Sequence, residues 1–280
     1  MGVAVEQYPH RSFSDSLAHQ ARVVRVLAAA EFKLKYRESA LGYLWSVIKP
    51  LAMFSILYLV FGHFFKLRGG LHHYPLYLLV GIVLWTFFSD ATTTTTVSFV
   101  LRGQLLRKMY FPRLIIPVSS TMTATMTLAT NLLPIAGFVA WNGIAPRADW
   151  LLILPLLLEL YLFALAIAIL LSTLYVRFRD MLPIWELVAQ ILFYATPIIY
   201  PLTVVPYHSV RVLELLNPFG QIVEDVRSLV LYNDPKGSIL TASDVLGPAG
   251  RLYPIGILIL LLAIALLVFR REEPGLTERV

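Results

Sequence analysis

Six long apolar segments constrain the fold of this 280-residue chain more than any other feature. A helix that crosses a bilayer needs about 20 mainly apolar residues, and each segment reaches that length. The last one contains LYPIGILILLLAIALLVF, which has no charged residue. We therefore predict an all-α, polytopic membrane protein whose single domain, residues 1–280, has six transmembrane helices. The predicted spans cover about 43–65, 75–99, 114–141, 150–175, 183–203 and 252–269.

The composition supports a membrane protein and excludes several kinds of site. The chain is 58% hydrophobic and 14% charged, and its mean hydropathy is +0.72. The absence of cysteine excludes disulfides, thiolate metal sites and thiol catalysis. No GxxxxGK[ST], HExxH or GxSxG motif occurs, so we expect neither an enzyme nor a cofactor bound by this chain. The net charge of +6 comes from cations that flank the spans, which argues against nucleic acid as a partner.

The distribution of cations predicts the orientation of the chain. The first forty residues are mixed and basic, without the apolar region of a signal peptide, so we expect the amino terminus in the cytoplasm. Six spans would return the carboxyl terminus to the same side. The tails and loops on that side carry 15 lysines and arginines, against 7 on the opposite side. This bias agrees with the positive-inside rule.

Two segments outside the spans have patterns of their own. Residues 17–36 place apolar side chains such as Val24, Leu27 and Phe32 on one helical face and most cations on the other. This pattern predicts an amphipathic helix that lies on the cytoplasmic leaflet. The stretch 196–251 is broken by prolines, and its apolar parts are too short and too charged to cross. We predict short re-entrant helices there, on the extracellular side between spans 5 and 6.

Aromatic side chains form a stripe in span 1. Phe54, Tyr58, Phe61 and Phe65 recur at spacings of four, three and four, which places them on one helical face. Such a stripe usually packs against lipid or another helix. The alternative is a platform on which sugar rings stack, and the adjacent pair Phe193 and Tyr194 in span 5 would extend it.

Three carboxylates lie within predicted spans, where burial of a charge is costly. For Asp90, the following threonines can bond back to the helix backbone and make a wet helix end, so we favour a structural role. For Glu159 and Glu186, we expect partners on neighbouring helices or solvation among the lipid headgroups.

Five short motifs carry a resemblance to a known family. They are LKYRESALGYLWSVIKPL at 34–51, RKMYFPRLIIPVS at 107–119, VRFRDM at 176–181, QILFYATPIIYP at 190–201 and LNPF at 216–219. Together they resemble the ABC-2 type permeases of polysaccharide export, which are the membrane subunits of O-antigen, teichoic acid and cell-wall galactan exporters. The resemblance implies a transport subunit of the bacterial cytoplasmic membrane that forms a homodimer. It also implies two copies of a separate ATPase, which would bind ATP and Mg.

The resemblance further implies a cargo and a path. The cargo is a glycan joined through diphosphate to a polyprenol, and the path is a channel framed by spans 1, 2 and 5 of both protomers. The residues assigned to the channel or glycan are Phe54, Tyr58, Phe61, Phe65, Trp85, Phe88, Phe193 and Tyr194. Lipid would enter from the bilayer between spans 1 and 5, with Lys35, Arg37 and Lys49 near the diphosphate. Anchoring to anionic lipid would explain Lys35 and Arg37 equally well, whereas Lys49 is the more specific candidate because a charge inside a span is costly.

The family likeness also assigns the segments at the two ends of the channel. The loop 102–112 would hold a short coupling helix that contacts the ATPase. The alternative is a basic, positive-inside anchor, but we favour coupling because an anchor explains the cations and not Phe111-Pro112-Arg113 at the base of span 3. The residues assigned to coupling are Gln104, Arg107, Lys108, Tyr110, Arg113, Arg179 and Asp180, of which Arg179 and Asp180 could instead pair and fix their turn. The region 196–251 would gate the extracellular end, with Tyr200, Pro201, Asn217 and Pro218 at its turns.

Two other functions fit parts of the pattern. One is an ABC-2 exporter of a small hydrophobic drug or a lipid. The other is a polytopic glycosyltransferase or acyltransferase that uses a polyprenyl substrate, with a site formed by His63, His72 and His73 near the outer edge of span 1. Loop histidines without nearby carboxylates are more often solvated, and we therefore favour transport.

Overall fold

The computed structural model describes residues 13–37, 41–66, 70–104, 112–235 and 237–279. Within these residues all regular structure is helical, which confirms the predicted all-α class. Helix α2 continues as a π-helix over Tyr58–Phe64, and single 3₁₀ turns cover Ala148–Leu152 and Leu202–Val204. The helices are α1 (Phe13–Tyr36), α2 (Leu44–Leu57), α3 (Tyr74–Thr96), α4 (Ser98–Leu101), α5 (Ile115–Trp141), α6 (Ile153–Arg177), α7 (Met181–Ala195), α8 (His208–Leu216), α9 (Pro218–Val230), α10 (Ala242–Leu246) and α11 (Leu252–Arg279).

Five helical segments in the described residues are long and apolar enough to cross a membrane. They correspond to predicted spans 1, 2, 3, 4 and 6, so the chain is a multi-pass membrane protein. The last helix runs ten residues beyond the predicted end of its span, because the charged segment after Phe269 continues the helix to Arg279. The segments are Leu44–Phe64, Tyr74–Thr96, Ile115–Trp141, Ala148–Arg177 and Leu252–Leu276.

The predicted fifth span, 183–203, is wrong in its extent. Helix α7 ends at Ala195 and has 15 residues, a length of about 22 Å against a hydrocarbon core of about 30 Å. Thr196 is extended because it precedes Pro197, and the residue before a proline is disfavoured in a helix. The apolar residues that follow, Ile198 and Ile199, are buried inside the protein instead of continuing the span.

Helix α3 forms the centre of the fold. In its most apolar window 78% of the residues are buried, against 17–39% for the other four spans. It packs against α2, α5, α6, α7 and α9, whereas α11 packs mainly on α6 and α1 on α5. Pro75 stands in its first turn, where the missing N–H of proline breaks no helical hydrogen bond. The sides of α2 and α7 that face away from α3 carry many exposed apolar side chains.

The stretch after α7 contains the short helices that the sequence predicts. The apolar parts VRVLELL and IVEDVRSLVLY fall on α8 and α9. Helix α9 packs against α3, α6 and α11, and most of its side chains are buried, including four polar ones. It is therefore enclosed by protein.

The amphipathic segment is helical, and its helix begins at Phe13 instead of residue 17. Its predicted apolar face is not left to lipid alone. Ala28 is fully buried, and the hydroxyl of Thr123 in α5 donates to its carbonyl oxygen at 3.3 Å. Phe32 stacks on Tyr43 with 5.1 Å between ring centroids. Helix α1 is therefore docked on the spans by polar as well as apolar contacts.

Candidate functional site

A groove of about 780 Å³ opens between the end of α1, the start of α2 and the carboxyl-terminal half of α3. We call it the α2–α3 groove. Hydroxyl groups from α2, α3 and α5 line it together with charged and apolar side chains. Its wall includes Lys35, Trp45, Lys49, Met53, Trp85 and Asp90.

An ion pair crosses the α2–α3 groove. The Nζ atom of Lys35 lies 2.6 Å from Oδ2 of Asp90, and both side chains remain partly exposed. The hydroxyls of Thr92 and Thr94 donate to carbonyl oxygens four residues earlier, at 2.8 and 2.6 Å. This is the back-bonding expected of threonines next to Asp90, and it leaves that carboxylate free to bind a partner from outside its helix.

A second recess of about 440 Å³ continues the α2–α3 groove toward α7. The two share Met53, Trp85, Ser89 and Thr93, so they form one surface across α2, α3 and α7. Helix α7 adds a carboxylate, an amide and two aromatic rings to this recess, from Glu186, Gln190, Phe193 and Tyr194.

The aromatic stripe of span 1 packs largely inside the chain. Phe54 is buried and stacks on Tyr58, with 5.8 Å between ring centroids, and meets Phe138 edge to face. Phe61 and Phe65 form a second stacked pair at 5.8 Å, and Phe65 is 66% exposed. The half near Phe54 therefore serves helix packing, and the half near Phe65 offers an open ring.

The other aromatics assigned to the channel fall into two groups. Phe88 is 1% exposed, and its ring stacks on Phe163 at 5.4 Å, so it belongs to the hydrophobic core and does not face the groove. Trp85 and Phe193 are mostly buried against each other at 5.6 Å but reach the edge of the recess. Tyr194 is 57% exposed and is the open ring at this site.

The three cations assigned to diphosphate do not lie together. Lys35 and Lys49 line the α2–α3 groove. Arg37 lines a different recess, together with Lys33 and Tyr43. The groove thus holds two of the three cations.

Arg102 joins three elements at the end of the bundle that carries α1. Its guanidinium contacts the carboxylate of Glu31 in α1. It also donates to the hydroxyls of Ser119 and Ser120 in α5, both at 2.9 Å. Burial lowers the pKa of Arg102 to about 10, so the group stays charged at neutral pH. From the sequence, Arg102 was interpreted only as one of the cations in the loop between spans 2 and 3.

The other residues assigned to coupling have varied surroundings. Arg113 donates to the carbonyl oxygen of Glu273 in α11. Arg179 lies over the ring of Tyr175 at 5.1 Å, and the described ion pairs do not join it to Asp180. Gln104 is exposed. Arg107, Lys108 and Tyr110 lie outside the described residues.

The turns assigned to the gate are well-defined structures. The side chain of Asn217 accepts a hydrogen bond from the backbone N–H of Phe219 at 3.1 Å, and Pro218 follows as the first residue of α9. This is the arrangement expected of a helix amino terminus. The Tyr200 hydroxyl donates to the carbonyl oxygen of Ala195 at 2.9 Å, and Pro201 is buried.

Helix α9 is fastened to α3 by a buried arginine. Arg227 is fully buried and donates to the carbonyl oxygens of Tyr77, Pro197 and Ile198 at 3.0, 2.5 and 2.7 Å. It also pairs with Glu224 at 2.7 Å. Burial raises the pKa of the Glu224 carboxyl above its ordinary value, although the charge of Arg227 opposes the shift. The contacts tie α3, the chain after α7 and α9 to one side chain.

A family model described as ABC-2 type transporter matches residues 22–231, from α1 through α9. This match covers well over half of the chain. The chain belongs to the ABC-2 type transporter family. It is therefore a transport subunit, in agreement with the resemblance found in the sequence.

This ABC-2 transporter subunit is similar to curated relatives over most of its length. It is 30% identical over 207 residues to the O-antigen export system permease protein RfbA of Klebsiella pneumoniae, covering 74% of this chain and 79% of the relative. It is 29% identical over 206 residues to the protein of the same name from Myxococcus xanthus, covering 72% and 78%.

Two of the three histidines considered for an enzyme site, His72 and His73, bond to Asp234. Asp234 accepts hydrogen bonds from the backbone N–H groups of His72 and His73 at 2.9 and 3.2 Å. The Nδ1 atom of His73 lies 3.1 Å from the same carboxylate oxygen. The expectation that these loop histidines have no nearby carboxylate is thus wrong for His73. Among the described residues no cluster of three metal-ligating side chains occurs.

Two features of the transporter were missed in the sequence. Arg227 was interpreted as a cation of the loop between spans 5 and 6. It is instead fully buried, and its side chain donates four hydrogen bonds. The signal was its place in VEDVRSLV, where a helical pattern puts Glu224 one turn before Arg227. The link from Glu31 to Arg102 had no such signal, since the two residues are far apart in sequence.

Proposed function

We propose that the chain is the transmembrane subunit of an exporter that moves a polyprenyl-diphosphate-linked polysaccharide across the bacterial cytoplasmic membrane. The observation that carries the proposal is the α2–α3 groove together with its recess on α7. It combines cations, hydroxyls and an exposed aromatic ring on one side of the protomer. The names of the relatives, which are O-antigen export permeases, support a glycan as cargo.

The groove needs a second wall, and we propose that another copy of the chain supplies it. Helices α2 and α7 flank the groove and present exposed apolar residues on the side away from α3. On α7 these are Ile184, Leu187 and Ile191, which follow a helical spacing. A homodimer about a two-fold axis would place the two grooves face to face around one path.

The energy would come from two copies of a separate ATPase that binds ATP and Mg. We propose that the loop 102–112 and the turn 177–180 contact it. Both segments are tied to long helices: Arg113 to α11, and Arg177 to Glu272 in α11 at 3.8 Å. A movement at either contact would therefore reach a membrane-spanning helix.

In the proposed orientation both termini face the cytoplasm. Five long helices alone would leave the termini on opposite sides, so α7 together with the chain after Thr196 must complete a sixth crossing. The buried arginine Arg227 satisfies the carbonyl oxygens of Pro197 and Ile198, which have no helix to bond them. Non-helical chain at membrane depth is tolerated when it is enclosed by protein in this way.

The direct test is deletion of the gene in its native host with complementation. We expect the glycan to disappear from the cell surface and its lipid-linked form to accumulate inside, and the wild-type gene to restore display. Unchanged display, or turnover of a polyprenyl-linked sugar by the purified chain alone, would overturn the proposal.

The contact with the ATPase has its own test. The double variant Arg107→Glu with Lys108→Glu should insert into the membrane as the wild type does but co-purify less with the ATPase.

A matched pair of tyrosines tests the path. Tyr194 in the recess and Tyr253 at the start of α11 are both 57% exposed. Tyr194→Ala should reduce glycan display several-fold without loss of ATP hydrolysis by the assembled transporter, because a ring that contacts the cargo is removed. Tyr253→Ala removes the same surface area outside the groove and should leave display intact. Equal effects of both substitutions would count against the groove as the path.

A further inference from the structure

The two lysines of the α2–α3 groove have unequal surroundings. Lys35 is held by Asp90 at 2.6 Å. Lys49 lines the same groove, and no carboxylate among the described residues pairs with it there. Lys49 stands in the apolar helix α2, where an ammonium group without an anion is unfavourable unless solvent or a ligand reaches it. The groove therefore offers one neutralised cation and one available cation.

The rest of the groove suits the phosphate group of an amphiphile. Ser89 and Thr93 stand one turn apart on the same face of α3, so hydroxyl donors accompany the lysines. Trp45, Met53 and Trp85 provide apolar surface within the same groove. Ammonium and hydroxyl donors bind phosphate oxygens, and the apolar surface suits a hydrocarbon chain. A fully polar anion would leave that surface unused.

We propose that Lys35 and Lys49 together bind the phosphate headgroup of an amphiphile and that Asp90 competes with this headgroup for Lys35. Binding exchanges the Lys35–Asp90 ion pair for a Lys35–phosphate contact. Asp90 thus sets the affinity for the anion. The inference rests on the proposed function, which supplies a diphosphate-linked lipid as cargo.

The exchange has a consequence for α1. Two ion pairs one turn apart join helix α1 to the rest of the protein, Glu31 with Arg102 and Lys35 with Asp90. Loss of the second contact leaves the first in place. Headgroup binding therefore frees only the last turn of α1, next to the start of α2, and leaves the helix docked on α5.

The test uses the full chain in nanodiscs of uncharged lipid and measures binding by microscale thermophoresis. The probes are farnesyl diphosphate, inorganic pyrophosphate and farnesol. We expect farnesyl diphosphate to bind more tightly than pyrophosphate, and farnesol to bind weakly. Lys49→Gln should weaken the binding of farnesyl diphosphate about tenfold. Asp90→Asn should strengthen this binding about threefold to fivefold, because it removes the carboxylate that competes for Lys35 in a partly exposed ion pair.

Two controls separate this exchange from general charge effects. Lys33→Gln removes a lysine of α1 that lines another recess, and Asp149→Asn frees Arg147 from an exposed pair at 3.0 Å. Both should leave binding unchanged. Thermal unfolding of each variant checks that the fold is intact, and Lys49→Gln carries the test if Asp90→Asn does not fold.

Several results would overturn the inference. One is a folded Asp90→Asn variant that binds farnesyl diphosphate no more tightly than the wild type. Another is an equal loss of affinity in Lys33→Gln and Lys49→Gln. The third is equal affinity of the wild type for pyrophosphate and farnesyl diphosphate. Glycan display by the deletion strain is a separate measurement. If display does not depend on the gene while the binding shifts are found, the proposed function fails and the anion site stands.

Discussion

The guanidinium carbon of Arg227 lies 3.5 Å from the centroid of the Tyr77 ring, and both side chains are fully buried. The Tyr77 hydroxyl donates to Glu224 at 2.7 Å, and the same carboxylate oxygen accepts from Arg227. A cation–π contact, an ion pair and hydrogen bonds to backbone carbonyl oxygens thus converge on one arginine. The cluster fixes α9 against α3 and fills the turn after α7.

Gly81 allows this approach, and its substitution should destabilise the protein. A Cβ atom at Gly81 would overlap Nη2 of Arg227 and lie 3.2 Å from the carbonyl oxygen of Ile198. We expect Gly81→Ala to lower the free energy of unfolding by about 1–3 kcal/mol. Chemical denaturation in detergent, followed by circular dichroism, measures the change. The control is Gly137→Ala in α5, where nothing lies within 4 Å of the added atom. Equal stability of the two variants would contradict the close packing.

Arg227 and Glu224 should be energetically coupled. Arg227→Gln leaves a buried carboxylate without its cation and should cost about 3–5 kcal/mol. Adding Glu224→Gln removes the unpaired charge while an amide oxygen can still accept from Tyr77. The double variant should therefore be more stable than the sum of the two single losses, by about 1–3 kcal/mol. The same denaturation assay completes the cycle, and strictly additive losses would show that the pair is not coupled.

Those parts of the fold that depend on local patterns could be predicted from the sequence. Runs of about 20 apolar residues gave five spans, and their helices begin within two residues of the predicted limits. The amphipathic repeat of α1 and the short, charged pieces of α8 and α9 were also readable, because periodicity belongs to the helix itself.

What could not be predicted depends on contacts between distant residues. The apolar run after Ala195 looks like the end of a span. Pro197 ends the helix, and the bonds from Arg227, about thirty residues later, hold the following chain inside the protein. The threonines after Asp90 bond back to their helix, as expected. The partner of Asp90, Lys35, is 55 residues away and could not be identified from the sequence. The aromatic stripe had two readings because spacing defines a face and does not reveal whether another helix covers it.

Arg102 should control how firmly α1 is held. Arg102→Met removes the partner of Glu31 and the donors to Ser119 and Ser120. We expect hydrogen exchange in α1 to become about tenfold faster, because the helix loses charge-assisted hydrogen bonds. Exchange measured by mass spectrometry reports on each peptide. Arg147→Met breaks an exposed pair with Asp149 and is the matched control. Unchanged exchange in α1 would mean that apolar contacts alone hold it.

Glu214 should make stability depend on pH. Burial raises the pKa of this α8 carboxyl from an ordinary 4.5 to about 7. Between these values the folded protein holds a proton that the unfolded chain has released, so stability falls as pH rises from about 5 to 7. Glu214→Gln should therefore flatten part of the fall in Tm measured between pH 5 and 8. The raised pKa values of Glu224 and Asp225 act in the same direction and leave a residual slope. Asp149→Asn, at an exposed carboxylate, should keep the wild-type slope, and parallel curves for Glu214→Gln and wild type would contradict the prediction.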